Sequence, residues 1–376
     1  MYKIKKSNLM NSLNKISTVS GNKLIAIKPT LVEGNFMLKF TASNDRMQIE
    51  NYCTCETDEK ESKKTFFVST KFANICKYME DKEITITLKG NQLSIKGKEA
   101  NISLPLQDNG NMLVADVNEH PEEHPLKKAF VQRFKVNTQD FTTALEVYGA
   151  MNVKDIDNAF NKILLTFIPN EKKIEMASMD GYSFCVGETS YLEYTGKDKL
   201  TCSIGQELVK AIYACSSGED TEEMLLTYLD NMYYVYVNNT FMYFRLNESG
   251  LKDTAQLKGI LEAPEMCKCK VHTKEFLNGI NLIEEVTNDD DKSNSVTPIT
   301  MSFGEKLKLL SPDGSLGEFK MECKCEGEGT FCFSSKLLKK VANLMPSETD
   351  IVIRDVNGHG YATFRNFACI LPINNK

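Results

Sequence analysis

The chain reads as an α+β protein of three tandem units, each with two helices on one face of a largely antiparallel sheet. Three observations predict this. One short phrase recurs three times at domain-sized intervals, each recurrence leads to a second amphipathic helix, and each second helix leads to a strand pair with a polar turn.

The phrase is YKIKKSNLMNSL at 2–13, FKVNTQDFTTAL at 134–145 and CKVHTKEFLNGI at 269–280. In each copy Lys and then Ile or Val precede a polar tetrad, as at the end of a strand. Apolar residues then follow at i, i+4 and i+7: Leu9, Leu13, Ile16; Phe141, Leu145, Tyr148; Phe276, Ile280, Ile283. That spacing is one face of an α-helix. Thr138 and Thr273 stand where an N-cap is wanted. The interval from Ile4 to Val136 is 132 residues and from Val136 to Val271 is 135, so the repeats are whole domains rather than solenoid turns.

The second helices are expected at Phe72, Cys76, Met79; at Leu208, Ile212, Cys215; and at Leu337, Val341, Leu344, again on one face. Ser69-Thr70, Gly205 and Ser334-Ser335 are suited to their starts. Strand pairs follow at 83–97, 224–239 and 350–366, where β-branched and aromatic residues alternate around Gly-Asn, Asp-Asn or Asn-Gly. Between the two helices, 35–55, 161–187 and 295–314 supply more strand. The Pro-broken, charged segments 118–129 and 247–266 read as connectors, which sets the units at 1–126, 127–262 and 263–376.

Composition narrows the function classes. The 376 residues carry a net charge of −6, which argues against a basic-protein style of nucleic-acid binding but not against a local basic surface. No apolar stretch is long enough to span a bilayer, and no apolar leader follows Met1–Lys6, so the expectation is a cytoplasmic protein without a membrane partner. The 12 cysteines then read as reduced thiols. Three Cys-x-Cys pairs occur (Cys53/Cys55, Cys267/Cys269, Cys323/Cys325), but zinc sites usually space their cysteines more widely. Residues two apart on a strand merely share a face, so no metal and no cofactor is expected. His120 and His124 are each followed by proline, and Asp289-Asp290-Asp291 reads as a solvated loop. There is no phosphate-binding Gly-x4-Gly-Lys loop and no nucleophile motif, so enzymatic function has no positive support.

Three such units in tandem resemble the bacterial β sliding clamp, the processivity ring of the replicative DNA polymerase. The resemblance covers essentially the whole chain. Its most specific points are KKIEMASMDGYSF at 172–184, similar to the family's segment ending Ala-Thr-Asp-Gly-His-Arg-Leu, and ACILPINNK at 368–376, similar to its terminal Val-Met-Pro-Met-Arg-Leu. FFVSTKFANICK at 66–77 also looks like the family's second helix start.

The resemblance implies three copies of the DNA-clamp fold, forming half of a six-domain ring that a homodimer closes around double-stranded DNA. Sliding then requires only weak, interchangeable contacts to phosphates, without sequence readout. Candidate DNA-facing residues on the helices are Lys6, Lys15, Lys77, Lys210, Lys274, Lys336, Lys339 and Lys340; the family's loop positions add Lys23 and Lys154. Its basic pair at the start of the second unit's second helix is Gly205-Gln206 here.

By position, the cleft that takes polymerase and clamp-loader peptides would use Phe160, Met179, Gly181, Tyr182, Phe184, Leu371, Pro372 and Ile373. Ser183 and Asn374 stand where the family has Arg, and Leu251 to Ile260 lacks its Phe-Pro-Asp-Tyr segment. Ile102 and Leu104 on one side and Val286 on the other match the ring-closing contact. Two alternatives stay open: a clamp-fold scaffold that binds peptides without encircling DNA, and a metal-dependent nucleic-acid enzyme built on the Asp and Cys clusters.

Overall fold

Alternation in Tyr2–Lys5 buries Tyr2 and Ile4 and leaves Lys3 and Lys5 in water, which makes a strand with one covered face, β1. The period then changes to that of a helix, and α1 (Lys6–Ile16) buries Leu9, Leu13 and Ile16. A meander of β2 (Leu24–Val32), β3 (Asn35–Ser43) and β4 (Met47–Thr54) follows, continued by β5 (Glu56–Thr57) and β6 (Phe66–Ser69). Helix α2 (Lys71–Tyr78) buries Phe72 and Cys76, and the hairpin β7 (Glu83–Lys89) and β8 (Gln92–Lys96) turns at Gly90, whose φ of 58° suits glycine. Strand β9 (Asn101–Pro105) ends the unit. The computed structural model describes residues 1–19, 21, 23–32, 34–57, 65–108, 133–149, 151, 159–180, 183–217, 223–229, 232–245, 251, 253–287, 297–312, 314–357, 359–364 and 369–372.

The same order returns twice. The second unit runs β10 (Arg133–Asn137), α3 (Thr138–Tyr148), β11 (Lys162–Ile168), β12 (Lys173–Met179), β13 (Phe184–Ser190), β14 (Glu193–Tyr194), β15 (Leu200–Gly205), α4 (Gln206–Ser216), β16 (Glu223–Leu229), β17 (Met232–Val237) and β18 (Thr240–Arg245). After α5 (Ala255–Glu262), the third runs β19 (Glu265–His272), α6 (Thr273–Thr287), β20 (Pro298–Phe303), β21 (Lys306–Leu310), β22 (Glu318–Glu326), β23 (Gly329–Ser334), α7 (Ser335–Ala342), β24 (Glu348–Val356), β25 (His359–Phe364) and β26 (Cys369–Pro372).

The sheets do not respect the units. One has the order β5-β1-β7-β8-β9; a second, β14-β10-β16-β17-β18-β4-β3-β2-β6, joins the second unit to the first; a third, β15-β11-β12-β13-β26-β25-β24-β19-β22-β21-β20-β23, joins the second to the third. The joints are antiparallel ladders, β18 on β4 from Thr240↔Asn51 to Phe244↔Met47, and β13 on β26 at Phe184↔Ile370 and Cys185↔Cys369. The two helices of each unit pack together, α1 on α2, α3 on α4 and α6 on α7. One apolar cluster runs through the first two units, and a second fills the third and reaches Met151 and Cys185.

Several local expectations need correction. Thr138 does not cap α3: Asn137 does, its side chain accepting from the Asp140 amide at 3.0 Å, while Thr138 Oγ1 is buried with no partner among the described residues. Thr273 is likewise the first helical residue of α6, its hydroxyl donating to the Pro346 carbonyl. In α7 the buried face is Leu338, Val341 and Ala342; Leu337 is only half-buried, because the helix starts at a capping Ser334 and rolls Leu338 inward. The stretch 247–266 is not only connector. Leu257, Ile260 and Leu261 form the apolar side of α5, and Leu257 packs with Leu164, Ala177 and Val186. The connector at 118–129, with the 126/127 boundary, lies outside the described residues.

Candidate nucleic-acid and partner interfaces

The described lysines among those proposed to face DNA are exposed, half-buried or buried. Lys77 on α2, Lys210 on α4, Lys274 on α6 and Lys336 on α7 are exposed, as is Lys23 just before β2. Lys6, Lys339 and Lys340 are half-buried. Lys6 Nζ donates to the carbonyls of Lys77 (3.1 Å) and Met79, so its charge sits on the C-terminal end of α2. Lys339 pairs with Glu284 and thereby ties α7 to α6. Lys154 lies outside the described residues.

Lys15 is a correction. It is 2% exposed, and Nζ donates 3.2 Å to the Asn238 carbonyl of the second unit. Burial lowers its pKa, with the Cys215 side chain of α4 acting in the opposite direction. The residue therefore belongs to the joint where α1 packs on α4, not to a solvent-facing surface. The helical pattern left its face ambiguous, since it lies next to the apolar stripe.

At the joint between second and third units, β13 lies against β26 and places Phe184 beside Ile370 in register. Phe184 is half-buried over Leu164, Ala177 and Val186, together with Leu251, Ile260, Leu261 and Tyr361. Met179 and Phe160 are half-buried at the end of β12 and just before β11. Leu371 and Pro372 lie on β26 opposite Ala362 and Tyr361, which puts them in the same joint by register. Gly181, Tyr182, Ile373 and Asn374 lie outside the described residues.

The β12–β13 turn is held by the Ser183 amide donating 2.7 Å to Asp180 Oδ1 and by the Asp180 amide donating to the Ser183 carbonyl. Ser183 itself is buried, its hydroxyl without a partner among the described residues. Helix α5 packs on this joint, against Leu164, Ala177 and Val186 of the second unit and β24 of the third. It is fixed by Glu175 of β12, which accepts from Thr254 at 3.2 Å and pairs with Lys258. Sequence reading missed this helix although Leu257, Ile260 and Leu261 carry helical spacing; the Pro264 and Gly residues around it favoured a connector.

Ile102 and Leu104 are half-buried on β9, whose outer edge is unpaired among the described residues. Val286 is 51% exposed near the end of α6, with Leu282 at 55% one turn before it. Leu282 also lines a shallow depression with Asn278, Asn281 and Glu285. Leu282 was not foreseen. Its signal was an apolar residue off the helix's buried stripe.

Solved structures share this architecture over their full length. The β subunit of DNA polymerase III from Thermotoga maritima superposes with a TM-score of 0.81 at 13% identity, covering 100% of this chain and 99% of that one. The fold is that of the β clamp. The corresponding subunit from Pseudomonas aeruginosa gives 0.80 at 13% identity with both chains wholly covered, and a putative one from Eubacterium rectale 0.79 at 15%, covering 99% and 98%. Neither a protein-family model nor a curated protein matches the sequence. The clamp fold is thus shared while nearly all side chains differ. Among the described residues no helix is long and apolar enough to cross a membrane.

Proposed function

We propose that the chain is a DNA sliding clamp: two copies close a ring of six units around duplex DNA and tether the replicative polymerase and other DNA enzymes to it. The observation that carries this reading is a junction that repeats. β18, the last strand of the second unit, pairs with β4, the third strand after α1; β26, the last of the third unit, pairs with β13, the third strand after α3. By the same rule β9 seeks a strand equivalent to β22. Among the described residues β9 has one neighbour, and β22 meets β19 only through Cys325 and Glu326. A second copy supplies the missing partner to both edges, and a head-to-tail contact that repeats in this way closes a ring.

The helices support the same rule. Counted on from the recurring phrase, Lys15, Val147 and Leu282 occupy equivalent positions, as do Val19, Met151 and Val286. At the two internal joints these positions are covered: Lys15, Val19 and Met151 are 2%, 3% and 0% exposed, and Val147 packs on the third unit's core. Only Leu282 and Val286 remain in water. They form the ring-closing contact together with Ile102 and Leu104. Lys23, Lys77, Lys210, Lys274 and Lys336 then supply weak contacts to phosphates, and the joint around Phe184 and Met179 receives apolar anchors of partner peptides. The reading includes no chemistry by the chain itself and a cytoplasmic site of action.

The test is topological. Loaded by its cognate loader and ATP, the protein is expected to stay on nicked circular duplex and to leave once the circle is cut. Equal retention on both forms would sink the encirclement claim. One observation favours a peptide-binding scaffold instead: α3 carries no Lys or Arg, so the two helices of the second unit offer DNA a single lysine, Lys210 of α4. A dimer that captures polymerase peptides yet shows no retention on circles would select that reading.

A further inference from the structure

Two of the three Cys-x-Cys pairs converge in the fold. β19 and β22 are antiparallel with Cys269 directly opposite Cys325, and Cys323 is two residues along on the same face of β22. The sulfurs of Cys269, Cys323 and Cys325 lie within 4.8 Å of one another, Cys269 buried and the other two half-buried. All three are free thiols. We propose that Cys269, Cys323 and Cys325 form a binding site for a thiophilic divalent ion of the zinc class.

Three features of the corner support this. Tetrahedral zinc with sulfur ligands at about 2.3 Å places sulfurs about 3.8 Å apart, so the three thiols need only a slight contraction to share an ion. The backbone of Leu307 lies beside the sulfur of Cys323 and that of Gly304 beside the sulfur of Cys325, where outer groups that orient metal ligands are placed. The third feature is comparison inside the chain. At the same place the second unit pairs Phe134 with Tyr194 in register, with rings stacked at 4.5 Å and Phe134 also stacked on Phe167. The first unit pairs Tyr2 with Thr57 there. Aromatic rings thus close this corner in the second unit, and in the first Tyr2 faces Thr57 with Cys55 two residues along; the third unit alone sets cysteines opposite each other on the two paired strands. Soft thiolate sets select zinc and copper(I) over magnesium or calcium. The half-exposed side, at Cys323 and Cys325, leaves the fourth position to water.

The corner is where β22 leaves β21 and reaches β19, so an ion would brace the root of the strand whose outer edge is open. The metal proposal does not rest on the clamp reading, and failure of retention on DNA would leave it standing. The test uses the full chain purified under reducing conditions. Metal analysis is expected to find one zinc per chain. Cobalt(II) added to the stripped protein should give a thiolate charge-transfer band and the intense visible bands of a tetrahedral centre, saturating at one equivalent. Cys325→Ser, at a half-exposed position, should bind cobalt at least about 100-fold more weakly, since loss of a ligand exceeds loss of an outer-shell partner. Cys332→Ser, outside the triad, should bind as the parent does. Circular dichroism would establish that both variants are folded. Absence of metal and of the charge-transfer band, equal affinity in Cys325→Ser, or a Cys269–Cys325 disulfide in the reduced preparation would each overturn the proposal.

Discussion

Lys15 has its ammonium at a joint between units, under a backbone carbonyl, and burial lowers its pKa from 10.5. The folded protein therefore gives up this proton at a lower pH than the unfolded chain does. Between the lowered value and 10.5 the unfolded chain binds more protons, so this residue makes stability rise with pH in that window. Lys15→Met removes the titration and should flatten the rise; urea midpoints of both proteins at pH 7 and pH 10 check it, and parallel curves would contradict it. A second buried charge, Lys39, lies 3.5 Å from Glu50, both fully buried, and Gln48 donates 2.8 Å to the other Glu50 oxygen. Removing one partner strands a charge in the sheet. Lys39→Met should destabilise by about 3–5 kcal/mol in urea unfolding, and adding Glu50→Leu should restore most of it.

Helix α5 and the exposed end of α6 matter at the scale of elements. Leu257 is the buried anchor of α5, 2% exposed against Leu164, Ala177 and Val186. Leu257→Ala should cost about 2–5 kcal/mol and loosen the joint between second and third units, seen as faster amide exchange in β13 and β26. Unchanged exchange there would mean that the helix does not brace the joint. The outer face of α6 is the opposite case, with Leu282 and Val286 more than half exposed among the described residues. Replacing Leu282 and Val286 together by Glu should weaken self-association by about 2–4 kcal/mol, roughly 30- to 1000-fold, measured by sedimentation equilibrium. The fold should be untouched, because both residues are already in water. A dimer of parental affinity would remove this face from the ring-closing contact.

Across the whole molecule, the exposed lysines make one prediction together. Replacing Lys77, Lys210, Lys274 and Lys336 by Ala should lower the salt slope of binding to duplex DNA by up to about 0.9 per lysine that meets a phosphate, with little change between DNA sequences. A slope equal to the parent's would place those lysines away from DNA. Much of the architecture behind this was legible in the chain. The phrase at 2–13, 134–145 and 269–280 does begin three strand–helix units, and Leu9, Leu13, Ile16, Phe141, Leu145, Phe276, Ile280 and Ile283 are all buried as their spacing requires. Hairpin turns were equally readable, since Gly90 and Asn357 take the positive φ that such turns demand. These are local properties, carried by side-chain period and turn chemistry.

What the sequence by itself determined was therefore the list of elements, their order and their threefold recurrence, because hydrophobic period and turn residues act within a few positions. The tertiary structure decided the rest. It buried Lys15 at a joint, left Leu282 and Val286 more than half exposed, turned part of a connector into α5, and joined the units through β18 on β4 and β13 on β26. It also set Cys269 opposite Cys325, two residues 56 apart in sequence that share no local pattern. Which edges pair, and which equivalent positions stay in water, depends on contacts between units, and no periodicity along one strand or helix encodes them.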